Sequence, residues 1–190
     1  MKKTVLTTLV LSLGVASAAM AADMPQGGAT LQWAGSVPPK TSPGAGYYIV
    51  QDGAVGFTSG LLTFSNDTSG IALKSASQIG FKVVRDAASG GDYDSATDVE
   101  PLNYKYTLVD VKVGINGLAT SQDPSDGYFA VHANGSKTAL QLNDEQALTT
   151  KGEPTRLTIM PNGSAPTTLT EGSDVVVMSV LTVTPDDTAI

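Results

Sequence analysis

The sequence predicts an all-β protein, a sandwich of short strands. Two observations lead there. Apolar and polar residues alternate with period two in stretch after stretch, and Gly, Pro, Asn and Asp interrupt them at short intervals, with 20 Gly and 10 Pro in 190 residues. A third is the charged fraction, 15%, against about 25% in an average soluble protein. The length suits one domain, or a compact domain with a tail.

Taken in order, Leu61 to Phe64 is a brief apolar run between Thr58-Ser59-Gly60 and Ser65-Asn66-Asp67. Ile79, Phe81 and Val83 alternate with Gly80 and Lys82, as expected of a half-buried strand. Tyr104 to Val113 is the longest run, with Val109, Val111 and Val113 expected on one face and Asp110 and Lys112 on the other. Phe129 and Val131 alternate with Tyr128, Ala130 and His132, and Leu157 and Ile159 with Arg156 and Thr158. Asp174 to Thr184 carries Val175, Val177, Leu181 and Val183 on one face and Val176, Met178 and Val180 on the other. Apolar residues on both faces predict a strand buried deep in the domain. Ala139 to Thr150 is the one stretch that suggests a short helix. Six or more strands at this spacing predict a β-sandwich of immunoglobulin-like type.

Composition excludes several function classes. The formal net charge is −7, with 11 scattered basic residues, so the phosphate neutralisation that nucleic acid demands is missing. With no Cys there is no thiolate catalysis, Cys-ligated zinc or disulfide framework. A single His, His132, removes most triads and multi-His metal sites. The expectation is a protein that is not an enzyme and uses no cofactor and no metal. Asp86, Asp92, Asp94, Asp98 and Glu100 lack the spacing of a calcium loop and read as a solvated acidic loop. Asn66-Asp67-Thr68, Asn134-Gly135-Ser136 and Asn162-Gly163-Ser164 match the glycosylation pattern but read as turns. Tyr47, Tyr48, Tyr93 and Tyr104 could line a sugar-binding surface, although Tyr in strands needs no ligand.

The N-terminus has its own logic. Met1-Lys2-Lys3 is a short basic head, Thr4 to Ala18 is apolar, and Ala19-Met20-Ala21 fits a small-x-small cleavage site. The run falls short of the ~20 residues a membrane-spanning helix needs, so residues 1–21 are expected to be a cleaved signal peptide. No second run of membrane length follows, and the mature chain is expected not to insert in a membrane. Residues 22–40 then contain Gly27-Gly28-Ala29-Thr30-Leu31-Gln32-Trp33-Ala34-Gly35-Ser36-Val37-Pro38-Pro39, in which Leu31, Trp33, Gly35 and Val37 alternate with polar or small residues. Glycine inside such a strand often marks the close approach of another backbone.

A Gly-rich lead followed by apolar-x-aromatic-x-Gly-x-apolar, just behind a signal peptide, resembles the N-terminus of chaperone–usher pilus (fimbrial) subunits, in a Cys-free variant. Thr184-Pro185-Asp186 and the residues after it depart from the Tyr with which many members end, and Pro38-Pro39 stands where many have a Cys. The resemblance implies an incomplete immunoglobulin-like sandwich, residues 41–190, completed by donor-strand exchange. It implies that Leu31, Trp33, Gly35 and Val37 are the donor strand. Val175, Val177, Leu181 and Val183 would border the acceptor groove. It also implies the partners: neighbouring identical subunits, a periplasmic chaperone and an outer-membrane usher, with export through the periplasm to a cell-surface fimbria that supports adhesion. The alternative from the residues is a secreted or periplasmic β-sandwich binding module, for example for carbohydrate.

Overall fold

The computed structural model of the chain describes residues 46–88, 91–123, 126–150 and 152–186. The expected signal peptide, 1–21, and the extension 22–40 with Leu31, Trp33, Gly35 and Val37 lie outside the described residues.

The described residues are all-β, as expected: nine strands in antiparallel sheets and no helix. The strands are β1 (Tyr47–Asp52), β2 (Leu62–Asp67), β3 (Gly70–Ala76), β4 (Ile79–Arg85), β5 (Asn103–Ile115), β6 (Thr120–Ser121), β7 (Phe129–Ala133), β8 (Thr155–Pro161) and β9 (Val175–Asp186). One sheet has the order β1-β4-β8-β7, a second β6-β5-β9, and β2 and β3 form a separate hairpin. The arrangement is consistent with a β-sandwich. Phe81 and Val83 of β4, Val131 of β7 and Leu157 of β8 share one core with Tyr104, Tyr106, Leu108 and Val111 of β5. The hairpin adds a second cluster, in which Leu73 meets Tyr128 and Phe129 and the Phe64 and Phe129 rings cross edge to face.

Strand β5 decides how the core is filled. Tyr104, Tyr106 and Leu108 are buried at alternate positions, and so is Val111, which breaks the parity. The break is a β-bulge: Leu108 faces Leu181 and Asp110 faces Val180, so Val109 has no partner. Val109 therefore stands at 39% exposure rather than beside Val111 and Val113, which corrects the expected face. Without the extra residue, the parity of Tyr104 would turn Asp110 and Lys112 into the core.

Three further expectations are corrected. The segment 139–150 is not a helix; Asn143, Gln146 and Thr149 donate their backbone N–H groups to the Leu108, Tyr106 and Tyr104 carbonyls. Those bonds run to β5 instead of back along a helix, so the segment lies beside β5. Strand β7 is buried at all five residues, not on one face. Strand β9, expected deep in the domain, has no buried residue and among the described strands lies at the edge of its sheet. Strands β1 and β3 lacked a clear period-two signal and were not anticipated.

At one point the backbones pass too closely for any side chain. A Cβ on Gly80 would run into the Asp52 carbonyl oxygen, where β1 and β4 pair. Gly80→Ala is expected to lower stability by about 1–3 kcal/mol through overpacking, measured by urea unfolding.

A buried polar contact joins the two sheets. Tyr104, fully buried on β5, has its hydroxyl 2.8 Å from Thr155 Oγ1 on β8 and accepts the Thr155 N–H at 3.1 Å. Tyr104→Phe leaves these groups unpaired and is expected to cost about 1–3 kcal/mol. Burial also raises the Tyr104 and Tyr106 phenols above the ordinary tyrosine range. In the unfolded chain they titrate near pH ~10, so above that pH the folded state holds protons that the unfolded state releases. Their contribution is complete below pH ~10 and is lost as pH rises through the folded-state values. Urea titrations across that range should show a shallower alkaline loss in Tyr104→Phe than in the wild type.

Candidate functional site

The candidate site is the outer edge of β9. Among the described residues no strand pairs with it, although β9 runs for 12 residues and pairs with β5 along its other edge. From Val175 to Pro185 it carries no charge. Proteins usually blunt a long edge with charges, bulges or a cover, because an apolar edge recruits other strands. Pro185 and Asp186 blunt only its last turn of pairing.

The direction of its backbone follows from β5. The carbonyls of Tyr104, Tyr106 and Leu108 accept from Thr149, Gln146 and Asn143, and that of Val111 accepts from Gln122. These β5 residues therefore turn their peptide groups away from β9. In an antiparallel ladder the residues opposite them do the same. Opposite stand Pro185, Val183, Leu181 and Ser179, whose backbone groups thus point to the free edge, as do those of Val177 two residues further. Proline fits position 185 because no ladder N–H is lost there.

Side chains and backbone edges alternate with the same period, so the same residues turn their side chains inward. Val177, Leu181 and Val183 pack against the main core, and Val175 and Val177 against the second cluster. All four expected groove-bordering residues, Val175, Val177, Leu181 and Val183, are therefore on one row. Each is only partly buried. The row combines backbone groups, paired by no described strand, with half-covered apolar side chains, which is the surface that an added strand can complete.

Two members of the site were missed. Tyr47 on β1 reaches across to β9, and its hydroxyl donates to the Val183 carbonyl at 3.3 Å. Its side chain also packs against the main core with Ile49. Ser179, in the middle of the inward row, is exposed although Val111 opposite it is fully buried. Only its position in the alternation Val177, Ser179, Leu181 could have singled it out.

The other candidate residues do not assemble a site. Asp86 and Asp98 are buried, against the expectation of a fully solvated loop. Asp98 accepts the N–H groups of Ala87 and Asp94 at 2.9 and 2.8 Å, and Asp86 that of Ala88 at 3.1 Å, so their oxygens pin the backbone. Asp92, Asp94 and Glu100 are exposed. Among the described residues no group of three His, Asp or Glu side chains could hold a metal ion. His132 is buried with Nδ1 3.0 Å from the Ser136 carbonyl oxygen, beside the turn at Asn134-Gly135. Of the four tyrosines, Tyr104 lies in the core and Tyr48 is buried with its ring edge to face on Tyr93, so they form no common surface. No helix among the described residues is long and apolar enough to cross a membrane.

No protein-family model matches the chain, and no significant match is found among curated proteins or solved structures.

Amide hydrogen exchange should read the free edge residue by residue. The N–H groups of Val177, Ser179, Leu181 and Val183 are expected to exchange much faster than those of Val176, Met178 and Thr182, which face β5. Equal protection of both sets would mean that the edge is covered.

Proposed function

We propose that the chain is a structural subunit exported to the cell surface, where it polymerises into a pilus by donor-strand complementation. The observation that carries this reading is the order of the strands around β9. In a constant-type immunoglobulin sandwich one sheet runs A-B-E-D and the other C-F-G. With the β2–β3 hairpin and short β6 set aside, β1, β4, β5, β7, β8 and β9 follow one another as A to F. The order β1-β4-β8-β7 then matches A-B-E-D, and the β5–β9 pair matches C-F. On this reading strand G would lie along the outer edge of β9, which no described strand occupies. On the same reading the fold is an immunoglobulin-like sandwich that lacks its last strand, and the strand order supports it.

The extension 22–40 supplies what is lacking. It holds an alternating apolar strand, Leu31-x-Trp33-x-Gly35-x-Val37, ahead of a domain whose first described strand begins at Tyr47. Burying its three large side chains is worth a gross ~5–9 kcal/mol, at ~1.5–3 kcal/mol each. Strand pairing with β9 adds backbone bonds on top of that. Until that strand arrives, the apolar edge would drive aggregation. A periplasmic chaperone that lends a strand, and an outer-membrane usher where the exchange takes place, answer that hazard. In this reading the protein has no catalytic activity and contributes to cell adhesion as the body of the fibre.

Gly35 provides the test. In the donor strand it would face a site too shallow for a side chain, so Gly35→Leu should jam insertion, since overpacking a formed site costs ~1–3 kcal/mol or more. The variant is expected to be exported and to fold, while fibres sheared from the cell surface fall sharply in number under electron microscopy. Normal fibres in that strain would remove Leu31 to Val37 as the donor strand. Loss of the folded subunit itself would point to an ordinary strand of a closed binding module.

A further inference from the structure

We propose that Ser179 is the position on β9 that selects the incoming strand, by seating Trp33 of the next copy. The inference rests on the polymerisation reading and assigns its register.

The inward row of β9 is Val175, Val177, Ser179, Leu181 and Val183. Four of the five are branched apolar side chains that pack against the core clusters. Ser179 alone is small and polar, and it alone in the row is exposed. Its position is not a frayed end. Across the ladder stands Val111, fully buried, and Val177 and Leu181 flank it on the same face. The row thus has one small, exposed position at its centre, between partly buried apolar neighbours.

Apolar layers fill best when a large residue faces a small one. A strand laid on this edge places one inward side chain beside Ser179, as a direct cross-strand neighbour. The chain holds a single Trp, Trp33, in the middle of the alternating segment 31–37. Its bulk is too great for a place beside Leu181 or Val177, whose own side chains fill the row. Beside Ser179 it covers the exposed serine between Val177 and Leu181. The small Gly35, two residues away, then falls beside a branched neighbour in either strand direction, Val177 or Leu181. That pairing explains both the Trp and the Gly by one register.

The absence of cysteine makes the register directly testable. Directly opposed residues of an antiparallel pair have Cα atoms about 4.5–5.5 Å apart, within the ~4.4–6.8 Å span of disulfides. The full chain carrying Trp33→Cys and Ser179→Cys should, on mild oxidation of assembled material, give a ladder of covalent multimers under denaturing conditions. Trp33→Cys with Val175→Cys should give none. A second set tests selection. Ser179→Leu should leave the spectrum of the unassembled chain unchanged and slow assembly by about tenfold or more, while Ser179→Ala assembles normally. Adding Trp33→Ala to Ser179→Leu should restore most of the rate, because the bulk has only changed sides. In the wild type, Trp33 emission should shift to the blue as protein concentration and assembly rise.

A ladder from the 175 pair in place of the 179 pair would overturn the register, as would Ser179→Leu assembling at the wild-type rate. A blue shift independent of concentration would place the chain's own Trp33 there and exclude the next copy. A wild-type chain that stays monomeric, with its Trp33 emission that of an exposed side chain at every concentration, would remove the polymerisation reading itself.

Discussion

The two sheets meet around Tyr104, and the rest of the fold depends on that contact. Its ring is fully buried, packs at a tilt on Phe81, and carries its hydroxyl to Thr155 on the opposite sheet. No disulfide is available to this chain, so the sheets are tied by packing and by polar contacts, of which this buried one is central. A buried hydroxyl that finds both donor and acceptor fixes which strand lies over which, since an apolar core alone tolerates sliding. With Tyr104 placed, β5 runs through the middle of its sheet, and the segment 139–150 takes up the carbonyls on one of its sides. Its other side is left to β9.

The bulge at Val109 carries that placement through to the edge. It lets β5 keep Tyr104, Tyr106 and Leu108 inside at one end and Val111 inside at the other. Because β9 has no matching extra residue, its own alternation is unbroken, and the residues from Val175 to Val183 that face inward also turn their backbone groups to the free edge. A strand of this length and apolarity at an edge is a hazard in a finished protein. On the proposed reading, in which the subunit awaits a strand, it would be the binding surface. The same physics supplies affinity through backbone pairing and selectivity through the side chains of the row.

Tyr47 links the two sheets at the end of that surface, through its hydroxyl on the Val183 carbonyl. It is a contact of 136 residues' separation, made by a single phenol. The apolar row on β9 and the side chain of β1 therefore belong to one feature, although they come from opposite ends of the described chain.

Much of this was legible in the residues themselves. Period-two alternation marked β4, β5, β8 and β9, because a half-buried strand writes its faces directly into sequence. The four residues Val175, Val177, Leu181 and Val183 were grouped on one face for the same reason. What alternation cannot carry is whether the second face is covered, and by what. That is why β7 came out buried on both faces and β9 came out at an edge, each against its apparent pattern. The parity change between Leu108 and Val111 was present in sequence, but only the ladder with β9 reveals which residue is the extra one. The segment 139–150 looked helical because its apolar spacing is ambiguous; its N–H groups went to β5, a partner more than thirty residues away. By itself the sequence determined the all-β class, the absence of cysteine and clustered histidine chemistry, and the apolar row of β9, because these depend on composition and local period. The strand order, the place of β9 at the edge of the described sheet, and the exposure of Ser179 were decided by tertiary structure, because they depend on which backbone groups other strands leave unused.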